Sequence, residues 1–346
     1  VYQKMFNVTR EERDEVLKVL AESEAEAVGS MGDDTPLPVM STRVRSLYDY
    51  FRQQFAQVTN PPIDPLRERI VMSLETQIGP EQNVFQVLPD HAHRIVMNSP
   101  VLSQRKFRQI LRVQEQDGGY SVIDLNRPET MSLEDALEII CDEAEEAVRF
   151  GSLIVVLSDR EIRRGHVPVH ALLATGAIHH RLVEKGLRCD CNLILETATA
   201  RDPHHFACLI GYGATAVYPY LAYECLHHMT RTGELRLDRS RGRQLGRSYR
   251  RGIRKGLFKI MSKMGISTIA SYRGAQLFEI VGLHDEVVDR CFPGTTSRIQ
   301  GAGFQELMED SLTLSRRARA VRESVEQGGL YRFVHGGEYH AYNPDV

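Results

Sequence analysis

Residues 151–226 constrain the fold more than any other stretch of the chain. They open GSLIVVLSDR and, after five residues, continue HVPVHALLATGAIHHRLVEKGLRCDCNLILETATARDPHHFACLIGYGATAVYPYLAYECL. The run 153–157 is apolar throughout and rich in β-branched residues, the pattern of a strand buried on both faces. Pro168 suits the first turn of the next helix, and Gly186 suits the position just past its end. Residues 192–196 read as the next strand, Asp202-Pro203 as the start of the next helix, and 215–218 as a third short strand. Strands that alternate with helices of this length imply parallel pairing through right-handed crossovers.

The rest of the chain places limits on what surrounds that core. At ~150 residues per domain, 346 residues suggest about two domains. A formal net charge of −3 argues against a nucleic-acid or membrane partner. No apolar run approaches the ~20 residues that span a bilayer, and no secretion signal opens the chain. The six cysteines lie mostly in apolar segments and read as reduced, buried thiols, so a cytoplasmic location is expected. The chain starts at Val1 and stops at NPDV, and both ends look cut from something larger.

Thr9 and Glu12 form a capping box ahead of a helix carrying Val16, Leu17, Leu20 and Ala21, which Gly29 is expected to close. Two irregular stretches follow, GSMGDDTPLPVMS (29–41) and TNPPIDP (59–65). Between them the spacing of Leu47, Tyr48, Phe51 and Phe55 predicts a helix over 43–58. A short helix over 65–74, short strands over 94–97 and 120–125, and a Ser132-capped helix running to Gly151 complete the first half. Residues 1–117 are thus an irregular, partly helical arm expected to wrap over a core at 118–330, with 331–346 as a connector. Beyond the core strands, residues 236–259 hold ten Lys or Arg and one acid, Asp238. A tight turn is expected at Gly265, then a strand through Ser271, a helix closed by Gly282, and a charged helix over 303–325.

Candidate chemistry gathers where the parallel strands end: Ser158, Asp159 and Arg160, then Glu196 and Thr197, then Tyr218. Ligands of α/β folds bind at that edge, but helix caps and strand-end ion pairs account for such residues equally well. The Gly211-Tyr-Gly213-Ala-Thr-Ala216 run matches a relaxed dinucleotide fingerprint yet follows a helix instead of a strand, so it reads as a helix stop and turn. Three histidine pairs (His179-His180, His204-His205, His227-His228) point their members ~100° apart on a helix, which suits one metal poorly. Cys189-x-Cys191 lacks the second pair that a four-ligand site needs. The basic run reads first as a solvated helix face and second as a contact with an anionic partner.

Several blocks together resemble the central domain of the large (α) subunit of glutamate synthase. They are GSMGDDTPLPVMS (29–41), LYDYFRQQFAQVTNPPIDPLRE (47–68), RIVMNSPVLS (94–103), ETATARDPHHFACLIGYGATAVYPYLAYE (196–224), KGLFKIMSKMGISTIASYRGAQLFEIVGL (255–283) and SRIQGAGF (297–304). The resemblance implies an incomplete relative of a (β/α) barrel with parallel strands and no working cofactor site. It implies a parent enzyme that makes two glutamates from glutamine and 2-oxoglutarate. In that parent an upstream glutaminase domain releases ammonia, and a downstream flavin-binding synthase barrel with FMN and an iron–sulfur cluster consumes it. Electrons would come from NADPH through a small subunit in preference to ferredoxin. This piece would hold no cofactor, join the two catalytic domains and wall part of the ammonia tunnel. The family's tunnel segments carry over to Met31, Gly32, Asp33, Thr59 and Asn60, and a synthase-facing turn to Lys263, Met264 and Ser267. The terminal GGEYHAYNP resembles the doorway to the synthase domain. The competing reading is a self-contained barrel-like enzyme that works through Asp159, Arg160 and Glu196.

Overall fold

The computed structural model describes residues 1–26, 37–55, 68–81, 85–86, 88–114, 119–235, 242–320, 324–339 and 343–344. Among these the strands are β1 (Phe51–Gln53), β2 (Thr76–Ile78), β3 (Ile95–Met97), β4 (Tyr120–Asp124), β5 (Asn126–Pro128), β6 (Ile154–Ser158), β7 (His166–Pro168), β8 (Asn192–Glu196), β9 (Ala216–Tyr218), β10 (Phe278–Leu283) and β11 (Thr296–Ala302). A four-stranded sheet of order β4-β6-β8-β9 is parallel throughout and does not close into a barrel. Helices Leu133–Arg149, Ala171–Glu184 and Pro203–Gly211 make the crossovers. Every residue of β6 and β9 is buried, which explains why these strands are apolar runs without alternation. The free side of β9 is covered from the arm: Val217 donates to Pro100 O (2.8 Å), and Leu102 donates to Val217 O (2.8 Å).

Helix ends follow the sequence closely. The Ser132 side chain accepts from the Asp135 amide, Asp202 accepts from His205, and Gly186 takes a positive φ of 69° past the end of Ala171–Glu184. Pro168 departs from expectation. It ends β7, which pairs with β5, and the helix starts three residues later under a His170 cap.

Two larger differences concern the segments on either side of the core. Residues 43–55, the described part of that expected helix, are not helical in this way: a 3-10 turn (Leu47–Tyr50) leads into β1, and Phe55 is 65% exposed. Backbone pairing of Phe51 with Ile280 in β10 overrides a helical spacing that would have left Tyr50 out of the core. After Gly265 the order of elements is reversed. A single helical turn (Ile269–Tyr272) replaces the expected strand, and β10 replaces the expected helix, with Phe278 and Ile280 buried and Glu279 and Val281 between them half-buried. The N-terminal helix does form beneath its Thr9 cap, running through Arg10–Glu12, Arg13–Leu17 and Lys18–Ser23, but stops with Glu24 in the left-handed region; Gly29 lies outside the described residues. The expected helix over 65–74 is described only as Glu68–Val71, and the charged one is Phe304–Arg319.

The basic run becomes the 23-residue helix Gly242–Met264, with 236–241 outside the described residues. It packs closely on two partners through glycines four residues apart. A Cβ at Gly252 would stand 2.7 Å from Leu20 Cδ2 of the N-terminal helix, and one at Gly256 would overlap the Pro203 ring. Its cations on that side pair with the end of the N-terminal helix, Arg251 with Glu24 (2.8 Å) and Lys259 with Glu26 (3.3 Å). Because a proline ring cannot turn aside, Gly256→Ala is expected to cost about 1–3 kcal/mol in urea unfolding. Gly246→Ala, whose added carbon would meet nothing nearer than 3.5 Å, is expected to cost less. Equal losses would refute the close-packing account.

Candidate functional site: the carboxyl edge of the parallel sheet

The loops after β6, β8 and β9 bring the strand-end groups together, but as two separate clusters. In the outer one, Glu196 accepts from Ser158 Oγ (2.8 Å) and from Arg160 (3.1 Å), and Arg160 also reaches Glu224 (3.0 Å) and lies 4.8 Å from the centre of the Tyr220 ring. In the inner one, Asp159 is fully buried. It accepts from Thr197 Oγ1 (2.5 Å) and from the Ala198 amide (2.9 and 3.2 Å). Thr197 shares a hydrogen bond with Thr199 (2.9 Å), and Thr199 with the Tyr48 hydroxyl (2.9 Å). Tyr218, the last residue of β9, is buried and stacks between Phe107 (4.9 Å) and Tyr223 (6.0 Å).

Tyr48 belongs to the arm, and it is not alone in closing this edge. The Tyr2 hydroxyl donates to Arg160 O (2.7 Å), and its ring meets Tyr220 edge-on at 6.2 Å. Glu12 forms an ion pair with the buried Arg201 (2.5 Å), which itself donates to Ala198 O (3.0 Å). The Tyr48 ring stacks on His205 at 4.3 Å and meets His170 at 4.9 Å. Where an α/β enzyme would keep an open mouth, this chain inserts two tyrosines and an ion pair. A crevice of about 90 Å³ remains beside the plug, lined by Phe6, Leu47, His170, Arg201 and Asp310 among others. Ligand sites occupy roughly 300–1,000 Å³, so a flavin does not fit in this crevice.

The histidines act as neutral acceptors. His170 Nδ1 caps its helix, His205 Nδ1 accepts from the Arg201 amide (3.2 Å), and His179 Nδ1 accepts from Arg188 (3.0 Å). Burial pushes all three down to about 3. Among the described residues, no group of three or more His, Cys, Asp or Glu is arranged to hold a metal ion. Cys189 departs from expectation in being exposed, while the other five cysteines are buried. Gly213 has a φ of 110° at the end of helix Pro203–Gly211, so the GYGATA run is a helix stop.

Met31, Gly32, Asp33, Thr59 and Asn60 lie outside the described residues. Lys263 is exposed with its ammonium 5.2 Å from the Phe55 ring, Met264 ends its helix half-buried, and Ser267 O accepts from the Ser73 amide (2.8 Å). A cleft of about 790 Å³ lies between helices Gln104–Gln114, Tyr220–Thr232 and Gly242–Met264 and reaches the sheet edge at Tyr218, Tyr220 and Glu224. Its wall carries Arg105, Arg231, Arg247 and Arg250, with Glu224 as its acidic residue. Sequence reasoning singled out neither Tyr48 nor the Glu12–Arg201 pair. Glu12 appeared only as half of a capping box, and in fact the Thr9 side chain caps the helix while the Glu12 carboxylate turns away to Arg201.

Comparison with known sequences identifies the family. The glutamate synthase central domain family matches residues 1–284. The chain belongs to that family. Relatives include ferredoxin-dependent glutamate synthase 1 of Arabidopsis thaliana, 39% identical over 99% of the chain and 22% of the relative. The NADH glutamate synthase of Saccharomyces cerevisiae is 41% identical over 95% of the chain and 16% of the relative. The large chain of the NADPH enzyme of Bacillus subtilis is 40% identical over 99% and 22%. The central domain therefore spans about a fifth of the relatives it matches. Among solved structures, a flavocytochrome b2 variant covers 81% of the chain and 89% of its own length at 14% identity and a TM-score of 0.38, a likeness too slight to carry an argument. No helix among the described residues is long and apolar enough to cross a membrane.

Burial raises the Asp159 carboxyl from 3.8 to about 7. Between those values the folded protein keeps a proton that the unfolded chain releases, so this group's contribution falls as pH rises from about 4 to about 7, by at most roughly 1.4 kcal/mol per pH unit. The three histidines act in the opposite sense, because the unfolded chain takes up their protons first as pH falls below about 6.5. Comparing wild type with Asp159→Asn isolates the carboxyl. The gain in urea midpoint from pH 5 to pH 7 is expected to be larger in the variant, and identical profiles would rule out a protonated Asp159.

Proposed function

We propose that this chain is the non-catalytic central domain of a glutamate synthase, holding a glutaminase domain and a flavin-dependent synthase barrel in register and walling part of the ammonia path between them. The observation that carries the reading is the plugged carboxyl edge. Arg160 and Glu196 pair with each other, Asp159 accepts from the Thr197 hydroxyl and the Ala198 amide, Tyr2 of the arm donates to Arg160 O, and Tyr48 joins the network through Thr199. A self-contained enzyme working through those residues would need room for a substrate there.

In the parent enzyme, glutamine and water give glutamate and ammonia. Ammonia, 2-oxoglutarate, two electrons and two protons then give a second glutamate and water. Neutral ammonia needs a path that excludes bulk water, and the Gly- and Pro-punctuated stretches around Met31, Gly32, Asp33, Thr59 and Asn60 are assigned to its wall. Lys263, Met264 and Ser267 are assigned to the face toward the synthase barrel. FMN and the iron–sulfur cluster belong to the barrel. NADPH, through a small subunit, is our preferred electron source. Relatives named for ferredoxin, NADH and NADPH match at 39–41% identity, so the donor is selected outside this domain. Residues 331–346 are taken as the connector to the barrel, and the parent as cytoplasmic.

Glu196→Ala in the full-length protein decides between scaffold and enzyme. A scaffold loses thermal stability while glutamine hydrolysis and ammonia-dependent glutamate formation persist. Loss of either activity in a variant that stays folded by circular dichroism would overturn the reading. Tight FMN binding by the isolated chain, followed by fluorescence, would overturn it as well.

The arginine-lined cleft favours a second reading, contact with an anionic partner, in which the helix face at 247–250 serves as a docking surface. Heparin retention that falls steeply between about 50 and 200 mM salt would support it, and salt-insensitive or absent retention would remove it.

A further inference from the structure

The side chain of Glu11 is almost wholly buried, yet among the described residues it forms no ion pair. Its two oxygens accept four consecutive backbone amides. Oε2 takes Gly329 and Leu330 (2.8 Å each), and Oε1 takes Tyr331 (3.0 Å) and Arg332 (2.7 Å). Successive amides turned to one side form a concavity that binds anions, and here the anion comes from the chain's own N-terminal helix. The pairing is reciprocal. The first turn of that helix has amides without intrahelical partners, and Arg10 and Glu11 donate theirs to Glu326 O (2.8 Å) and Gln327 O (2.9 Å). Gly328 and Gly329 each take a φ of 110°, and a Cβ on Gly328 would stand 2.5 Å from Glu11 Oε2. Arg332 pairs with Glu15 on the outside of the joint, and Lys4 Nζ donates to Ala320 O (2.7 Å).

Beyond this joint the strap is tied by Arg317 to Glu326 and by Ser41 Oγ, which donates to Glu338. The described residues 324–339 contain no helix or strand, only Gly329 and Glu338 are buried, and Tyr331, Phe333 and Tyr339 are 54%, 43% and 59% exposed. With so little apolar burial, the strap stays in place through polar contacts, four of them charge-assisted bonds to one carboxylate. The Glu11 carboxylate therefore ties residues 329–332 to the N-terminal helix.

We infer that Glu11 is a positioning residue for ammonia transfer: by clamping residues 329–332 to the N-terminal helix, it fixes the two ends of the central domain against each other and with them the two catalytic domains. This rests on the function proposed above. The clamp itself is tested separately from that function.

In the full-length protein, Glu11→Gln replaces an acceptor oxygen with an NH2 group that cannot accept the amides it faces. Gly328→Ala breaks the same joint from the strap side should the first variant fold poorly. Hydrogen exchange at residues 329–332 is expected to speed up at least tenfold in either variant, with β6 and β8 unchanged. Glutamine hydrolysed per 2-oxoglutarate consumed is expected to rise at least twofold above the wild-type value of about one, while glutamate formation from added ammonium chloride stays within twofold. Unchanged exchange would remove the clamp. Faster exchange with an unchanged ratio would show that the clamp only stabilises the fold, and would overturn its role in transfer. A wild-type protein without these activities would sink the proposed function and the transfer role with it, while the exchange result would still decide the clamp.

Discussion

The rest of the structure depends on sealing the carboxyl edge of the parallel sheet. Parallel strands carry their backbone polar groups and loop residues to one edge, and an open sheet of four strands cannot bury that edge by itself. Asp159 sits there out of contact with water, and a lone carboxylate in such surroundings is tolerable only with donors around it and with its ionisation suppressed. The Thr197 hydroxyl and the Ala198 amide supply the donors, and the relay through Thr199 to Tyr48 carries the polar network into the arm. The edge and the arm therefore complete each other.

That dependence explains why the arm is irregular. A helix presents one stripe to its neighbour, whereas the sheet edge needs a hydroxyl at Thr199, another at Arg160 O and a carboxylate at Arg201. Tyr48, Tyr2 and Glu12 come from three separate pieces of chain that no single helix could align. The N-terminal helix then has two roles. Its Glu12 faces inward to the sheet edge, and its Glu11, one residue earlier and about 100° around the helix, faces the strap at 329–332. Glycines in the long basic helix bring the same N-terminal helix close on its other side. One short helix thus touches the sheet edge, the basic helix and the strap.

Much of the core was legible because its signals are local. The strand at 192–196, the Asp202-Pro203 helix start and the Gly186 stop match the structure to within a residue. Period and caps failed where pairing across the chain competed with them. Phe51 lay on a helical stripe yet is a strand residue, because β10 offers it backbone partners 229 positions away in sequence. The alternation in FEIVGL was itself a strand signal, outweighed in the reading by the apparent helix closure at Gly282. The family was legible in the motif blocks, and the candidate edge in its polar strand ends. That the edge is closed was not, because nothing near Thr199 in sequence names Tyr48 as its partner.

The sequence by itself determined the alternating strands and helices, their caps and the family to which they belong, since each of these is written within a few consecutive residues. Tertiary structure alone decided what those elements are for. Whether a buried carboxylate at a strand end meets a substrate or a tyrosine depends on where the chain returns through space. So does the difference between a first-turn glutamate that only favours its helix dipole and one that gathers four amides from more than 300 residues away. Both are set by long-range packing and by the need to satisfy every buried polar group, and neither leaves a local pattern to read.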